Sequence, residues 1–194
     1  MNTARLVILA VVASALLLAG CQSSQVRPVD VIEDKPTQTL KSFAIEGKIG
    51  LRSEKVSQSV FIRWKQNGDD FDIVLHGPLG QGRVNITRTL GVTTFARGDD
   101  IDHAISTEKL LHRKTGVWLP IEQLVYWVQG QPHPGSPSEG EQLDERGLYQ
   151  RFIQDQCELD FLQYSPVGGR LLPDKLRIVR EQYQLTLIVK DWQL

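Results

Sequence analysis

The feature that most constrains the fold is an alternation of apolar and polar residues that recurs from residue 42 to the end of the chain. An apolar side chain at every second position gives a strand one face for a core and one face for solvent, as in an antiparallel sheet. The alternation predicts nine strands, at residues 43–51, 56–64, 71–75, 84–86, 92–97, 148–153, 157–164, 175–180 and 183–190. So many strands in one chain predict a large curved antiparallel sheet or a barrel, and hence a mainly β fold.

Two helices interrupt the strands. Ser106 or Thr107 is suited to cap a first helix that ends near Gly116. A second helix has Pro120 at its first position and Gly130 as its stop. Its apolar residues recur at helical spacing, at Ile121, Leu124, Val125 and Val128. Two short helices can cover the apolar face of a curved sheet without filling it, so we expect an apolar cavity between them and the sheet.

The first twenty residues have the composition of an export signal. Arg5 precedes an apolar run of about 14 residues that ends at Ala19, which is shorter than the roughly 20 residues of a membrane-spanning helix. The run ends in Leu18-Ala19-Gly20-Cys21, which resembles the lipobox of bacterial lipoproteins. The resemblance implies cleavage before Cys21 and acylation of that residue. The alternative is a plain signal peptide followed by a chance cysteine.

The chain therefore divides into three predicted parts. Residues 1–20 are a cleaved signal peptide, residues 21–41 are a polar tether that carries the lipid anchor, and residues 42–194 are the folded domain. Gln22 follows the predicted anchor, where aspartate in many lipoproteins signals retention at the inner membrane. We therefore expect an outer-membrane location facing the periplasm. Cys157 then has no partner for a disulfide, and its strand pattern favours a buried apolar role over a nucleophilic one.

Composition and motifs argue against several functions. A formal net charge of −1 disfavours broad binding of nucleic acid. The sequence has no G-x-x-x-x-G-K-[ST] phosphate loop and no G-x-S-x-G esterase turn. Asp99, Asp100 and Asp102 follow Gly98 and are typical of a solvated turn rather than a metal site. None of the histidines has metal-ligand spacing; they are His76, His103, His112 and His133. We therefore expect no enzyme activity, metal or cofactor.

Five segments, in this order, carry a resemblance to a known family: "GKIGLR", "FIRWKQ", "DIVLHGPLGQGRVNI", "TGVWLPIEQLVYWVQGQP" and "IVKDWQL". Together with the lipobox they resemble the LolB family, outer-membrane lipoproteins that receive other lipoproteins. The resemblance runs from Phe43 to Leu194. Many proteins have a lipobox or alternating strands, so the ordered combination is what makes the resemblance specific.

The resemblance implies a half-open antiparallel barrel whose helices form a lid over an apolar interior. A periplasmic carrier of similar fold, LolA, would deliver client lipoproteins, whose acyl chains would be the transient ligand before insertion into the outer membrane. We expect the protein to act as a monomer. Holding three chains of about 15 methylenes in water would cost on the order of 35 kcal/mol, so a carrier needs an enclosed apolar site.

The resemblance also assigns roles to particular residues. Leu79, between Pro78 and Gly80, occupies the position of a protruding leucine that enters the bilayer in this family. The alternative is that Leu79 folds back into the core. Three tryptophans match aromatic positions of the family, and alternation turns four more side chains inward. The predicted cavity lining is thus Trp64, Trp127, Trp192, Phe43, Ile45, Ile62 and Leu75, although each tryptophan could equally be an ordinary core residue.

Two other functions remain open from the sequence. A lipid-anchored scaffold or assembly protein of the envelope would have a filled core and an exposed apolar patch for a protein partner. A lipid-modifying enzyme would need a polar catalytic cluster, which the sequence does not suggest.

Overall fold

Eleven antiparallel strands form one continuous sheet in the computed structural model, which describes residues 38–194. The strands are β1 Ser42–Ser53, β2 Ser57–Asn67, β3 Asp70–His76, β4 Val84–Thr89, β5 Val92–Arg97, β6 Asp100–Ala104, β7 Ser138–Leu143, β8 Tyr149–Gln154, β9 Cys157–Val167, β10 Arg170–Arg180 and β11 Tyr183–Gln193. Their order is β6-β5-β4-β3-β2-β1-β11-β10-β9-β8-β7. Since β6 and β7 are both edges, the sheet is an open half-barrel, as predicted.

Both helices lie between β6 and β7 in the chain. Helix α1 spans Thr107–Thr115, and helix α2 spans Ile121–Trp127. The predicted cap is present: the backbone N–H of Lys109 donates to Ser106 Oγ over 3.3 Å. Gly116 ends α1 in the left-handed region with φ 73°. Pro120 lies one position earlier than predicted, at the cap of α2 rather than inside it.

The strand predictions were incomplete at both edges of the sheet. Strand β6 forms from residues 100–104, where Asp100 and Asp102 were predicted to be part of a turn. Strand β7 begins at Ser138, outside the nine predicted strands. Strand β7 has the sequence SEGEQL and is mostly exposed. An edge strand with little buried surface has no need of apolar alternation, which is why the pattern did not reveal it.

The inner face of the sheet and the two helices share one apolar core. Ile62 and Trp64 of β2 are buried at 5% and 3% exposure, and Leu110 and Leu111 of α1 at 0% and 1%. Within residues 38–194, neither helix has the length and hydropathy needed to span a membrane.

The predicted lipid anchor lies outside the described residues. This applies to Cys21, to the signal peptide at residues 1–20, and to the tether as far as residue 37. The last residues of the predicted tether are packed against the domain. The backbone N–H of Leu40 donates to Gln129 Oε1 over 2.6 Å, and Arg170 donates to the carbonyl oxygen of Gln38 over 2.6 Å. Packed structure therefore begins by residue 38, earlier than the predicted boundary at residue 42.

Gly47 marks an irregularity where β1 pairs with β11. The pairing register shifts between Glu46 and Gly47, and a Cβ added to Gly47 would lie 2.0 Å from the carbonyl oxygen of Ile188. We expect Gly47→Ala to lower the free energy of unfolding by about 2–3 kcal/mol, because backbone cannot move aside as a flexible side chain can. Thermal unfolding of the full chain measures this. Gly50→Ala is the matched control, since its Cβ would meet no atom within 4 Å. Equal destabilisation by both variants would contradict the prediction.

Candidate lipid-binding and membrane-contact site

An apolar cavity lies between the inner face of the sheet and the lid, by which we mean α1, α2 and the segment that joins them. Its volume is about 60 Å³. Side chains from the sheet and the lid line it, namely Ile49, Ile62, Trp64, Ile73, Leu75, Ile86, Leu111, Leu119, Ile121, Leu124, Val128, Ile178, Leu185 and Leu187. By comparison, an engineered apolar cavity of about 150 Å³ binds one benzene molecule. An apolar cavity is therefore present, but it is too small as it stands to hold an acyl chain.

Three of the predicted lining residues border this cavity: Ile62, Trp64 and Leu75. Phe43 and Ile45 are buried but do not border it, and Trp192 is partly buried against the same core. The Phe43 ring lies 5.5 Å from the ring of Trp64 and 5.5 Å from that of Trp192. These aromatic rings extend the apolar surface beyond the cavity through Trp64. Contact of Phe43, Ile45 and Trp192 with acyl chains stays a prediction.

Trp127 is a fully buried link between the lid and β8 rather than part of the cavity wall. Its exposure is 0%, and its Nε1 donates to Gln154 Oε1 over 2.7 Å. The same oxygen accepts from the backbone N–H of His133, while Gln154 Nε2 donates to the carbonyl oxygens of His133 and Ser136. Gln154 thus ties the end of α2 and the following loop to the sheet. No motif marked Gln154, because its partners lie 18 to 27 residues away.

Helix α1 is tied to the edge of the sheet at both ends. The hydroxyl groups of Thr93 and Thr107 are buried and 2.6 Å apart. Near the other end, Lys114 Nζ lies 2.6 Å from Asp100 Oδ1, and Arg113 Nη2 lies 2.8 Å from Asp102 Oδ2. The hydrogen bond from Arg113 lowers the pKa of Asp102, and the hydrogen bond to Asp100 raises the pKa of Lys114. These aspartates hold the lid, a role that the sequence did not suggest.

Helix α2 has an exposed ion pair on its first turn. Glu122 Oε1 lies 3.5 Å from Arg88 Nη1, and such exposed pairs contribute little to stability. Both residues line a more polar cleft of about 570 Å³, which shares Ile121 with the apolar cavity. Arg88 Nε is buried without a hydrogen-bond partner among the described residues. The cleft therefore adjoins the apolar cavity at Ile121.

The loop between β3 and β4 presents Leu79 to solvent. Leu79 is 97% exposed, so the alternative in which it folds back into the core is excluded. Its backbone lies in the left-handed region, with φ 58° and ψ 21°, which costs a non-glycine residue about 1–2 kcal/mol. The loop is closed by the backbone N–H of Gly77, which donates to the carbonyl oxygen of Gln81 over 2.7 Å. The fold therefore holds an apolar side chain outward in an unfavourable backbone conformation.

Cys157 is buried in β9, as its strand pattern indicated, at 1% exposure. Burial raises the pKa of its thiol to about 11, which leaves almost no thiolate at neutral pH. The described structure therefore gives Cys157 an unreactive core position.

A family model described as "Outer membrane lipoprotein LolB" matches residues 41–192. The chain belongs to the LolB family. A relative from Cellvibrio japonicus named "Outer-membrane lipoprotein LolB" is 36% identical over 98% of each chain. Another of the same name, from Stutzerimonas stutzeri, is 35% identical over 92% of this chain and 91% of its own. These names support an outer-membrane location for this LolB-family chain.

Solved structures support the fold at much lower identity. A LolA superfamily protein from Nitrosomonas europaea matches with a TM-score of 0.50 and 7% identity, over 84% of this chain and 90% of its own. A DUF1329 family protein from Desulfovibrio piger matches with a TM-score of 0.51 and 8% identity, over 80% and 86% of the two chains. The LolB-family chain therefore shares its open half-barrel with the LolA superfamily.

Proposed function

We propose that the protein accepts lipoproteins from a LolA-like periplasmic carrier, shelters their acyl chains beneath the lid and inserts them into the outer membrane. The observation that carries this proposal is the apolar cavity between lid and sheet in a chain of the LolB family. A scaffold would have a filled interior, with no apolar cavity for acyl chains to enter. The protein is a binding and transfer factor in this proposal, with no catalytic step.

Acceptance of a client requires the lid to move away from the sheet, since the cavity of about 60 Å³ is smaller than a cavity that binds benzene. Opening exposes apolar lid and sheet surface, and the incoming acyl chains cover it again. Helix α2 supplies Ile121 and Leu124 to the cavity wall, and its first turn is held to the sheet by the exposed pair of Arg88 and Glu122. We infer that α2 swings out at this turn, while α1 stays fixed through the buried Thr107, Leu110 and Leu111.

The polar cleft suits the part of the client that follows its acylated cysteine. It adjoins the apolar cavity at Ile121, so chains in the cavity leave the peptide in the cleft. Arg88 and Glu122 line this cleft and supply polar groups beside the peptide. In this arrangement the apolar cavity holds the acyl chains of a client, and the polar cleft holds its peptide.

Transfer runs downhill in free energy from the carrier to this protein and then to the membrane. Acyl chains of this size cannot pass through water, because exposing them costs on the order of 35 kcal/mol. Cys21, acylated, would hold the protein at the outer membrane facing the periplasm, and one copy suffices for the transfer. Leu79 with Pro78 and Gly80 would then enter the bilayer.

Client binding tests the proposal directly. The full chain is mixed with a carrier that holds an acylated client, and the client that moves to it is counted by native mass spectrometry. We expect one client per chain. A wider side chain at the cavity wall, Ile49→Trp, should lower client binding severalfold because it occupies space that the acyl chains need.

Ile188→Trp is the matched control for this variant. Ile188 is 38% exposed on the outer face of β11, and its partner in β1 is Lys48, the neighbour of Ile49. It should bind clients normally. A chain that takes no client from the loaded carrier, with its fold intact by circular dichroism, would refute the proposed function and favour a scaffold.

A further inference from the structure

A groove on the outer face of the sheet begins at the base of the Leu79 loop. Its volume is about 300 Å³, and its lining comes from β1, β2, β3, β11 and the loop itself. The residues are Glu46, Gly47, Phe61, Ile62, Arg63, Val74, His76, Arg83, Lys190 and Asp191. We call this the outer groove. It lies on the side of the sheet opposite the lid, so the acyl-chain cavity does not account for it.

Three cations line the outer groove. Arg63, Arg83 and Lys190 form no ion pair within residues 38–194, and Arg83 Nε donates to Asn85 Oδ1 over 3.1 Å. By contrast, seven other arginines of the described chain have acidic partners within 4 Å: Arg88, Arg97, Arg113, Arg146, Arg151, Arg177 and Arg180. Unpaired cations gathered in one concave site attract an anion.

The groove also has an apolar part. Phe61 is 38% exposed, its ring stacks 5.3 Å from the ring of His76, and Lys48 Nζ lies 4.8 Å above it. Val74, on the same outer face, is buried at 5% exposure. A site that combines cations with an exposed aromatic ring suits an amphipathic ligand better than a free inorganic ion.

The position of the groove indicates the source of that ligand. His76 directly precedes the loop at Gly77. Arg83 is four residues after Leu79, so these two residues are at most about 14 Å apart. An apolar residue inserted at a membrane surface reaches about 5–10 Å into the boundary of headgroups and acyl chains. With Leu79 in the bilayer, Arg83 is therefore within reach of the lipid phosphates.

We propose that the outer groove binds the phosphate group of a membrane glycerophospholipid beside the inserted loop. The guanidinium groups of Arg63 and Arg83 offer paired N–H donors to the phosphate oxygens, and Phe61 packs against the apolar part of the lipid. Glu46 and Asp191 also line the groove and oppose anion binding, so the proposal requires Arg63, Arg83 and Lys190 to outweigh these two carboxylates. This proposal rests on the proposed function, because it requires Leu79 to reach the membrane.

The rate at which Lys190 is acetylated measures whether a lipid occupies the outer groove. The full chain is placed in vesicles of digalactosyldiacylglycerol, which contains no phosphate, or of the same lipid mixed with phosphatidylglycerol. Lysines are then acetylated with a water-soluble reagent and quantified by mass spectrometry. We expect Lys190 to react severalfold more slowly in the phosphate-containing vesicles, while Lys65, on the outer face of β2 away from the groove, reacts equally in both.

Arginine variants localise the effect. Arg63→Gln should remove most of the protection of Lys190, since one Arg or Lys near an anionic surface contributes about fivefold in binding. Arg52→Gln is the matched control, because Arg52 is also exposed and outside the groove, on the neighbouring strand β1. It should leave the protection of Lys190 unchanged.

Three results would overturn the proposal: equal reactivity of Lys190 in both vesicles, protection that survives Arg63→Gln, or equal protection by inorganic phosphate added to the galactolipid vesicles. Client transfer into the same vesicles is measured in parallel. Normal transfer without protection of Lys190 refutes only the outer groove. Protection of Lys190 in a chain that binds no client supports the groove and refutes the transfer function.

Discussion

Replacing Leu79 by glutamate should slow insertion of bound clients about thirtyfold and leave client binding unchanged. An exposed leucine gains roughly 1.5–3 kcal/mol when it enters an apolar environment, and a carboxylate gains nothing there. A loss of about 2 kcal/mol corresponds to a factor of about thirty. Binding should be unaffected because Leu79, at 97% exposure, makes no contribution to the cavity or the lid.

The measurement follows a labelled client from the loaded protein into vesicles, with bound client counted before vesicles are added. Leu90→Glu is the matched control. Leu90 is 91% exposed and also has a left-handed backbone, at φ 52°, but it lies in the turn between β4 and β5, at the opposite end of β4. This control should insert clients at the normal rate. Unimpaired insertion by Leu79→Glu would remove the loop from the mechanism.

Replacing Trp127 by alanine should lower the free energy of unfolding by about 4 kcal/mol and the unfolding midpoint by about 10 °C. The substitution empties a fully buried site and removes the donor of the 2.7 Å hydrogen bond to Gln154. The amide of Gln154 also holds the loop after α2, so the lid loses its packing and one of its attachments together.

Trp127→Phe separates the two contributions. Phenylalanine keeps most of the apolar contact and removes only the N–H donor, while Gln154 Oε1 still accepts from the backbone of His133. We expect this variant to lose about 1 kcal/mol. Thermal and denaturant unfolding of the full chain measure both variants. A loss from Trp127→Ala no larger than that from Trp127→Phe would show that the ring contributes little to holding the lid.

The sequence predicted the sheet well because burial of one face imposes alternation. Ile62 and Trp64 of β2, or Leu185 and Leu187 of β11, lie where period two puts them. The edge strand β7 was not predicted because its residues are mostly exposed, so burial does not impose an alternation of apolar and polar residues on it. The family resemblance located the Leu79 loop, but exposure of Leu79 depends on the loop geometry, which the sequence pattern does not specify.

The candidate site was predicted less completely than the sheet. The alternation of apolar and polar residues predicted that Ile62 and Leu75 face inward. The cavity volume between them and the lid depends on how side chains from distant segments pack, which the alternation does not specify. The bond between Trp127 and Gln154 joins residues 27 apart in sequence, and the bonds between Leu40 and Gln129 join residues 89 apart. Such pairs follow from the three-dimensional register, so a single sequence could not predict them.

The central pairing of β1 with β11 has a consequence for biogenesis. These strands are the first and last of the described sheet, and their register joins Ala44 to Gln193. A chain that emerges from a ribosome or a translocon N-terminus first cannot complete the middle of its sheet until its final residues are free. Contacts this distant in sequence also slow folding. The newly made polypeptide therefore cannot join the two halves of its sheet, β1–β6 and β7–β11, until its last strand has been released.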